Sequence, residues 1–496
     1  MSVAFSWLLA AAPILAGPMV VAPPVLLTPG LESWIAEAVA DELPRALLEL
    51  GVPVLERYDR LRVQERLGLP AVRLSRATSI RVGEAVGAWR LVTGTVEREG
   101  GIVLKIRLLD VARGALAAPL VTRGPVEGLQ AMIAGVACDI ALAASSPPAR
   151  SREVLVALRT AVPFEAWRTH AQALAATEGT ARTRLLRRAL TLFPRYEEAR
   201  LDLARVQLES REHKAALETL GKIGREAATP RAARFAEGVA LLGLGRYVEA
   251  ASVYDELRQA RPTSAVLSNQ AAGRLRQERR ELPASAPLLQ ALAREPAALD
   301  LPVNLGFALL HEGRPDAAAF FLRVAVKRDP GDGAARLLLS WALRQAGKED
   351  EAEEEWRTLS ASTDAFQSIK APDLQRRFER VLPSEGALVV DSQGRSDAEA
   401  ALIQAARGQK LLETGDAAAA AVELASATVL SPFDPEYRAF LAHALRARGE
   451  VARAEAELRA SIYCREDSAV RTELADLLMA QGRTADARKI LEERAQ

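Results

Sequence analysis

The sequence is poor in the residues that carry most enzyme chemistry. Its 496 residues include only two cysteines, Cys138 and Cys464, and four histidines. Two distant cysteines indicate neither a disulfide framework nor a thiolate metal site, and the histidines fall at no metal-ligand spacing. No nucleophile elbow, zinc-peptidase helix or phosphate-binding glycine loop is present. The sequence therefore predicts a protein that is not an enzyme and holds no metal and no cofactor.

Excess charge of either sign is also missing. Lys and Arg total 65 against 64 Asp and Glu, so the net charge of +1 provides no global field for nucleic acid or an anionic membrane. Aromatic residues make up only 5%, which suits helix pairs with alanine and leucine seams. No uninterrupted apolar run is long enough to predict a stable membrane span. The expected partner is thus a protein or peptide, and nothing in the sequence fixes an oligomeric state.

The first 17 residues are apolar and leave two interpretations open. Met1–Gly17 has the apolar core of a secretory signal, but it lacks a basic start, and Pro18 follows Gly17 at a poor cleavage site. Either residues 1–18 are a signal segment that directs export to a periplasmic or other extracytoplasmic location, or they are the disordered start of a cytoplasmic protein whose true start could be Met19.

The pattern of residues 19–144 predicts a small α+β domain. A strand interrupted at Pro23 and Pro24 belongs at a sheet edge or strand end, and a hairpin turns at Gly100–Gly101. The remaining elements follow from apolar periodicity: helices at 31–50, 58–67, 75–86 and 126–143, and strands at 52–55 and 116–122. A Ser- and Pro-rich linker at 145–151 closes the domain.

This domain resembles the amino-terminal module of TolB-type and curli-secretion-type envelope proteins, which precedes helical repeats in many bacterial proteins. The resemblance rests on the opening strand with Pro23, the helix at 32–50 and the segment Glu84–Gly114 with its Gly-Gly turn. It implies assembly or regulation rather than chemistry. Thr28 and Pro29 depart from the family's usual acidic turn.

A 34-residue unit recurs four times between Pro230 and Asp364. Each unit has a small residue in a first helix, an alanine twelve residues later in a second helix, and a large apolar residue four positions after that. In unit order these are Gly238, Ala250 and Tyr254; Ala272, Ala284 and Leu288; Gly306, Ala318 and Leu322; and Ser340, Ala352 and Trp356. Small residues let two antiparallel helices approach, and large ones fill the seam.

The best copy, 234–262, resembles the tetratricopeptide family at Gly238, Leu241, Gly245, Tyr247, Ala250, Tyr254 and Pro262. The family's early tryptophan is replaced by Arg234. Weaker copies extend the pattern, so that repeats are expected at 152–364 and 397–496, with a degenerate repeat or insertion at 365–396 that is most simply neutral. The predicted fold is a small α+β domain followed by an all-α tetratricopeptide-type solenoid.

The resemblance implies a concave groove lined by the first helices. Its geometry assigns to this groove ten residues that could grip an extended peptide through apolar anchors and arginines: Phe235, Val239, Asn269, Arg276, Phe307, Leu310, Trp341, Arg344, His443 and Arg446. The same side chains could instead pack between neighbouring helices. No lysine–asparagine clamp of chaperone-binding relatives is evident.

Three functions remain open. The leading prediction is a non-enzymatic scaffold that binds a protein or peptide in the groove, in a setting such as envelope assembly. The second is a regulatory or sensory subunit, whose amino-terminal domain binds a small ligand and whose repeats relay this to a partner enzyme. The third and weakest is a hydrolase with an unrecognised site in the first domain.

Overall fold

The computed structural model describes residues 18–67, 69, 76–111, 113–144, 149–224, 230–276, 283–362, 381–383, 385 and 398–492. The apolar start at 1–17 and most of the expected insertion at 365–396 lie outside these residues, and so does the run 387–390, whose apolar pattern predicts a short strand. By its internal contacts the chain divides into two compact units, Met1–Ala199 and Arg200–Gln496.

The first unit is an α+β domain followed by helices. Its strands are β1 (Met19–Val21), β2 (Val25–Leu26), β3 (Val54–Leu55), β4 (Arg90–Arg98), β5 (Ile102–Asp110) and β6 (Leu120–Gly124). Its helices are α1 (Trp34–Glu49), α2 (Arg57–Arg66), α3 (Arg76–Ala85), α4 (Leu129–Ala143), α5 (Arg152–Arg159), α6 (Phe164–Ala175) and α7 (Gly179–Leu192). The predicted succession of strands and helices is confirmed, and a 3₁₀ turn at Val126–Gly128 precedes α4.

The sheet has the order β3-β1-β4-β5-β6, and β2 also pairs with β4. β1 lies parallel to β3 and β4, whereas β4, β5 and β6 form an antiparallel meander. The predicted hairpin is confirmed, with Arg98 opposite Ile102 and Gly100 in the turn at φ +70°. Pro23 and Pro24 end β1, which lies inside the sheet rather than at its edge.

The core of this domain lies between the sheet and helices α1 and α4. Both helices are largely buried and contact each other, and α4 also contacts β5 and β6. By length and composition, the stretch Val126–Ala143 could cross a membrane, contrary to the expectation from the sequence, and 56% of it is buried inside this domain. Such a composition is also that of a buried core helix.

Helices α5 and α6 are joined to the α+β domain by a buried ion pair. Arg159 donates from Nε and Nη2 to the carboxylate of Glu42 at 2.5 and 3.1 Å, and Trp167 Nε1 donates to the same carboxylate at 3.3 Å. Trp167 also packs edge-on against Trp34, with ring centroids 6.0 Å apart. The first compact unit therefore continues past the predicted linker.

The second unit is a succession of helical hairpins that begins within α8. Its helices are α8 (Glu197–Glu209), α9 (His213–Leu220), α10 (Pro230–Gly243), α11 (Tyr247–Ala260), α12 (Ser264–Arg276), α13 (Ser285–Arg294), α14 (Asp300–His311), α15 (Pro315–Arg328), α16 (Gly333–Gln345), α17 (Glu349–Ala361), α18 (Ala398–Glu413), α19 (Ala417–Leu430), α20 (Pro435–Ala447), α21 (Val451–Cys464), α22 (Ser468–Ala480) and α23 (Thr484–Glu492). The predicted all-α repeat region is confirmed.

In three repeats the small and large residues meet as the 34-residue period predicts. A Cβ placed on Gly238 would lie 2.6 Å from the ring of Tyr254, and one placed on Gly408 would lie 2.5 Å from Leu424. Gly306 faces Leu322 in the same way. The fourth repeat differs, because Ser340 donates to the carbonyl of Ala352 while Trp356 remains 41% exposed.

One of the last three hairpins, α20–α21, contacts α15. Phe433, just before α20, stacks on Phe321 with ring centroids 5.7 Å apart, and Tyr463 approaches Phe320 at 6.1 Å. The guanidinium of Arg438 lies over the same Phe320 ring at 4.7 Å. An aromatic cluster therefore attaches the α20–α21 hairpin to the second helix of an earlier repeat.

Candidate functional site

The first helices of neighbouring repeats contact one another. α10 contacts α12, α12 contacts α14, and α14 contacts α16, while each first helix also packs on the second helix of its own repeat. Successive first helices that touch in this way line one continuous face of a repeat array. This face, formed by α10, α12, α14 and α16, is called the groove below.

The predicted groove residues differ widely in exposure. Phe235 and Leu310 belong to the hydrophobic core of the array, and Phe307 packs edge-on against His311 at 4.6 Å. Val239 is half-buried against the same core. These four side chains stabilise the array, so any contact that they make with a ligand stays a prediction.

Two exposed residues of the predicted set lie on α16. Trp341 is 50% exposed, and Arg344 is paired only loosely with Glu349 at 3.4 Å. Arg276 ends α12, but its side chain lies outside the described residues, so its role in binding a partner stays a prediction.

His443 and Arg446 on α20 share one carboxylate. His443 Nε2 lies 2.8 Å from Glu473 Oε2, and Arg446 lies 2.9 Å from Glu473 Oε1. Glu473 belongs to α22, the next first helix. These two predicted site residues therefore come together with each other, and within the array they bind an acidic side chain.

Asn269 is the predicted residue with the most specific contacts. Its Nδ2 donates to the backbone carbonyl of Leu382 at 2.8 Å, and its Oδ1 accepts from the backbone N–H of Leu382 at 2.7 Å. The same Nδ2 lies 3.1 Å from the hydroxyl of Tyr254, and burial raises the pKa of Tyr254, so the phenol stays neutral. One buried carboxamide thus holds the N–H and C=O of one residue of a separate segment.

The contacted segment contains the described residues 381–383 and 385, and it carries a second anchor. Glu385 receives two hydrogen bonds of 2.7 Å from Arg231 at the start of α10, and a third of 2.7 Å from Thr263 Oγ1 before α12. Arg231 is fixed in turn by the carbonyls of Leu257 and Arg261.

Sequence reasoning missed this contact, although signals for it were present. Pro383 biases Leu382 towards extended backbone, which exposes both peptide groups of Leu382 to one partner. Asn269 stands on the apolar face of a first helix, where a buried amide needs partners. Arg231 and Glu385 are 154 residues apart, so no local pattern joins them.

The rare residues of the sequence have structural partners. His170 lies 2.9 Å from the hydroxyl of Tyr196, and His213 packs against Gly243. Burial raises the pKa of Cys464 to about 12, which keeps this thiol protonated near neutral pH. Within the described ranges, no group of three His, Cys, Asp or Glu side chains could hold a metal ion.

Two sequence models described as "Tetratricopeptide repeat" match the chain. One matches residues 183–238 and 309–371, and the other matches residues 224–265 and 271–333. Together with the small–large seams of the helical hairpins, these matches show that the chain contains tetratricopeptide repeats. Proteins with such repeats are generally non-catalytic scaffolds.

Solved structures of low sequence identity also align with the chain. YrrB, described as a TPR protein with an unusual peptide-binding site, is 16% identical, covers 37% of this chain and 97% of its own, and has a TM-score of 0.31. A tetratricopeptide repeat protein from Parabacteroides merdae is 15% identical, with coverages of 58% and 99% and a TM-score of 0.31. MamA is 17% identical, with coverages of 34% and 94% and a TM-score of 0.29. No curated protein matches the chain.

Proposed function

We propose that the protein is a non-catalytic scaffold, which binds an extended segment of a partner protein in the groove of its tetratricopeptide array. The observation that carries this proposal is the contact of Asn269 with Leu382, because a groove side chain there binds the backbone N–H and C=O of a separate segment. Backbone hydrogen bonds with a neighbouring apolar anchor are a general mode of peptide recognition.

Trp341 supports the proposal at a second place on the groove. A tryptophan that is half exposed on a first helix provides a large, rigid apolar surface, and such residues are enriched among interface hot spots. Its neighbour Arg344 offers a guanidinium to carboxylates, as the sequence predicted. Trp356 is comparably exposed, but it lies on the second helix of the same repeat.

The test compares these two tryptophans. Peptides are selected on the full chain from a displayed random library, and the affinities of the enriched peptides are measured by fluorescence anisotropy. Trp341→Ala is expected to weaken binding at least about 10-fold, which is typical of a tryptophan hot spot, while Trp356→Ala changes it less than about 2-fold. Absence of any enriched peptide, or an equal loss in both variants, would contradict the proposal.

The α+β domain supports a finer proposal. Its parallel β3-β1-β4 part continues into the antiparallel β4-β5-β6 meander, with α1 and α4 packed together, and this arrangement is compatible with the TolB-type module inferred from the sequence. We propose on that resemblance that the scaffold acts in envelope assembly. The proposal includes the domain ranges predicted from the sequence, which are 19–144 for this module and 152–364 and 397–496 for the repeats.

A second candidate function is regulation of a partner enzyme by a ligand of the α+β domain. The favouring observation is the buried Glu42–Arg159 pair, which joins this domain firmly to α5 and α6. A small ligand of the domain would have a stiff connection to the following helices. Thermal-shift screening of the full chain with metabolite pools tests this candidate, since a ligand that binds only the folded state raises the melting temperature.

A further inference from the structure

We propose that the segment around Leu382 and Glu385 is an internal ligand, which competes for the groove with a partner peptide of the same chemistry. That chemistry is an apolar residue in extended backbone, followed three positions later by a carboxylate. The inference rests on the proposed function and names both the partner class and its regulation.

The first step is the backbone contact. Asn269 forms hydrogen bonds with the backbone N–H and C=O of Leu382 and none with its side chain. It is fully buried, and loss of the segment would leave both ends of its carboxamide without these partners. A site of this kind accepts any extended peptide whose side chain at that position suits the neighbouring pocket.

The second step is the apolar pocket. Leu382 is 7% exposed and belongs to the same hydrophobic cluster as Phe235, Tyr254 and Val266, while Val381 packs against that cluster. Because burial of a leucine side chain is favourable, the segment has an apolar anchor of the kind that a bound peptide uses. The pocket selects an apolar side chain at this position.

The third step is the charge. Arg231 binds Glu385 through two hydrogen bonds in fork geometry, and Thr263 adds a third. The two partners remain 24% and 20% exposed, so this contact is open at one side to solvent. Bidentate pairing of this type selects a planar carboxylate by shape as well as by charge. Because Glu385 is the third residue after Leu382, a partner peptide should carry its acidic residue three positions after its apolar residue.

The fourth step is the competition. The segment and the groove belong to one chain, and a tethered ligand of this kind acts at an effective concentration on the order of mM. A partner peptide that uses the same contacts must displace the segment. The apparent association constant of the peptide is therefore the intrinsic constant multiplied by the fraction of chains whose groove is free. The segment therefore keeps the groove closed to weak or scarce partners.

The experiment uses the full chain and a labelled peptide of its own residues 380–387, RVLPSEGA. In the released variant, Leu382→Ser with Glu385→Arg, the internal copy loses both anchors while Asn269 and Arg231 stay intact. We expect the released variant to bind the peptide about 10- to 100-fold more tightly than the wild type, measured by anisotropy. Asn269→Ala in the released variant is expected to remove the gain.

Controls separate recognition from general effects. Glu351→Arg breaks the exposed Arg323–Glu351 ion pair on α15 and α17, and it should leave peptide binding unchanged. A peptide with arginine in place of its glutamate should bind the released variant at least about 10-fold more weakly, and Arg231→Glu in that variant should reverse the preference. Circular dichroism confirms that each variant keeps its helices.

If the double substitution disturbs folding, Glu385→Arg alone takes its place, with a smaller gain in the same direction. A folded released variant that binds the peptide no better than the wild type overturns the inference, because the segment is then only part of the core. If the released variant shows no gain but Trp341 is still needed for peptide binding, the inference is wrong and the proposed function remains. If neither result is obtained, both the inference and the proposed function are wrong.

Discussion

The two units of the chain are stabilised by different kinds of contact. In Met1–Ala199 the helices α5 and α6 are joined to the α+β domain by a buried carboxylate and guanidinium, contributed by residues 117 apart. In Arg200–Gln496 a small residue faces a large apolar one of the same repeat in the hairpins of Gly238, Gly306 and Gly408. The buried ion pair stabilises the fold only while both of its partners are present, whereas the small–large seam depends on the complementary shapes of its two side chains.

This difference decides how each unit should respond to substitution. A buried ion pair that loses one partner leaves an uncompensated charge in an apolar environment. A seam between small and large side chains tolerates changes that conserve volume and resists added atoms. Substitutions in the two units therefore have different mechanisms, and their sizes can be ranked.

The largest effect is expected for Glu42→Ala in the first unit. Arg159 is then left 9% exposed without its main partner, and Trp167 Nε1 loses its acceptor. We expect a loss of about 3–5 kcal/mol in the free energy of unfolding, measured by urea denaturation of the full chain. The exposed pair is the matched control, since Glu351→Ala should cost about 0–1 kcal/mol.

The pH dependence sharpens this prediction. Burial by itself raises the pKa of Glu42, but the charge and hydrogen bonds of Arg159 outweigh burial and lower it below its ordinary value. The stabilisation is therefore complete above the unfolded-state pKa of about 4.3 and is lost as the pH falls through the folded-state value. Glu42→Ala should remove this part of the acid sensitivity. If the free energy of unfolding of Glu42→Ala depended on acidic pH as steeply as that of the wild type, the pair would not have this role.

The next effect is expected at the seam of the third repeat. A Cβ on Gly306 would clash with Leu322, so Gly306→Ala should lower the free energy of unfolding by about 1–3 kcal/mol despite the better helix propensity of alanine. Gly179→Ala in α7 is the matched control, because nothing lies within 4 Å of its added Cβ. This control should be neutral or stabilising by up to about 1 kcal/mol.

The rescue of Gly306→Ala tests the shape argument. Leu322→Ala alone leaves a cavity and should cost about 2–5 kcal/mol. The added methyl group of Gly306→Ala fills part of that cavity, so the double variant should lose clearly less than the sum of the two single losses. Strict additivity would show that the two residues do not share a seam.

The same contrast explains what the sequence could predict. The repeats were identified because their contacts are local: Gly238 and Tyr254 recur at fixed spacing, and the period places each small residue opposite a large one. The hairpin at Gly100–Gly101 was found for the same reason. These patterns need no knowledge of the rest of the chain, so they can be read directly.

Contacts between distant segments were not predictable in this way. No local pattern pairs Glu42 with Arg159, and the repeat period places Asn269 on the groove without indicating the segment that it binds. The composition of the insertion is that of a loop, which favours a neutral role. Its contacts with Arg231 and Asn269 depend on the folded array and cannot be predicted from local composition. Periodicity identifies the framework of such a site, and tertiary contacts determine its occupant.

The smallest expected effect concerns a turn of the second unit. Arg211, between α8 and α9, has φ +62°, whereas the position one period later is Gly245 at φ +74°. A left-handed backbone costs a residue with a side chain about 1–2 kcal/mol, and glycine avoids most of this strain while it gains entropy in the unfolded chain. Arg211→Gly should therefore raise the melting temperature by about 1–3 °C in calorimetry. Arg211→Ala removes the same side chain but keeps the strain, so a gain confined to the glycine variant assigns the effect to the backbone, and equal responses would refute it.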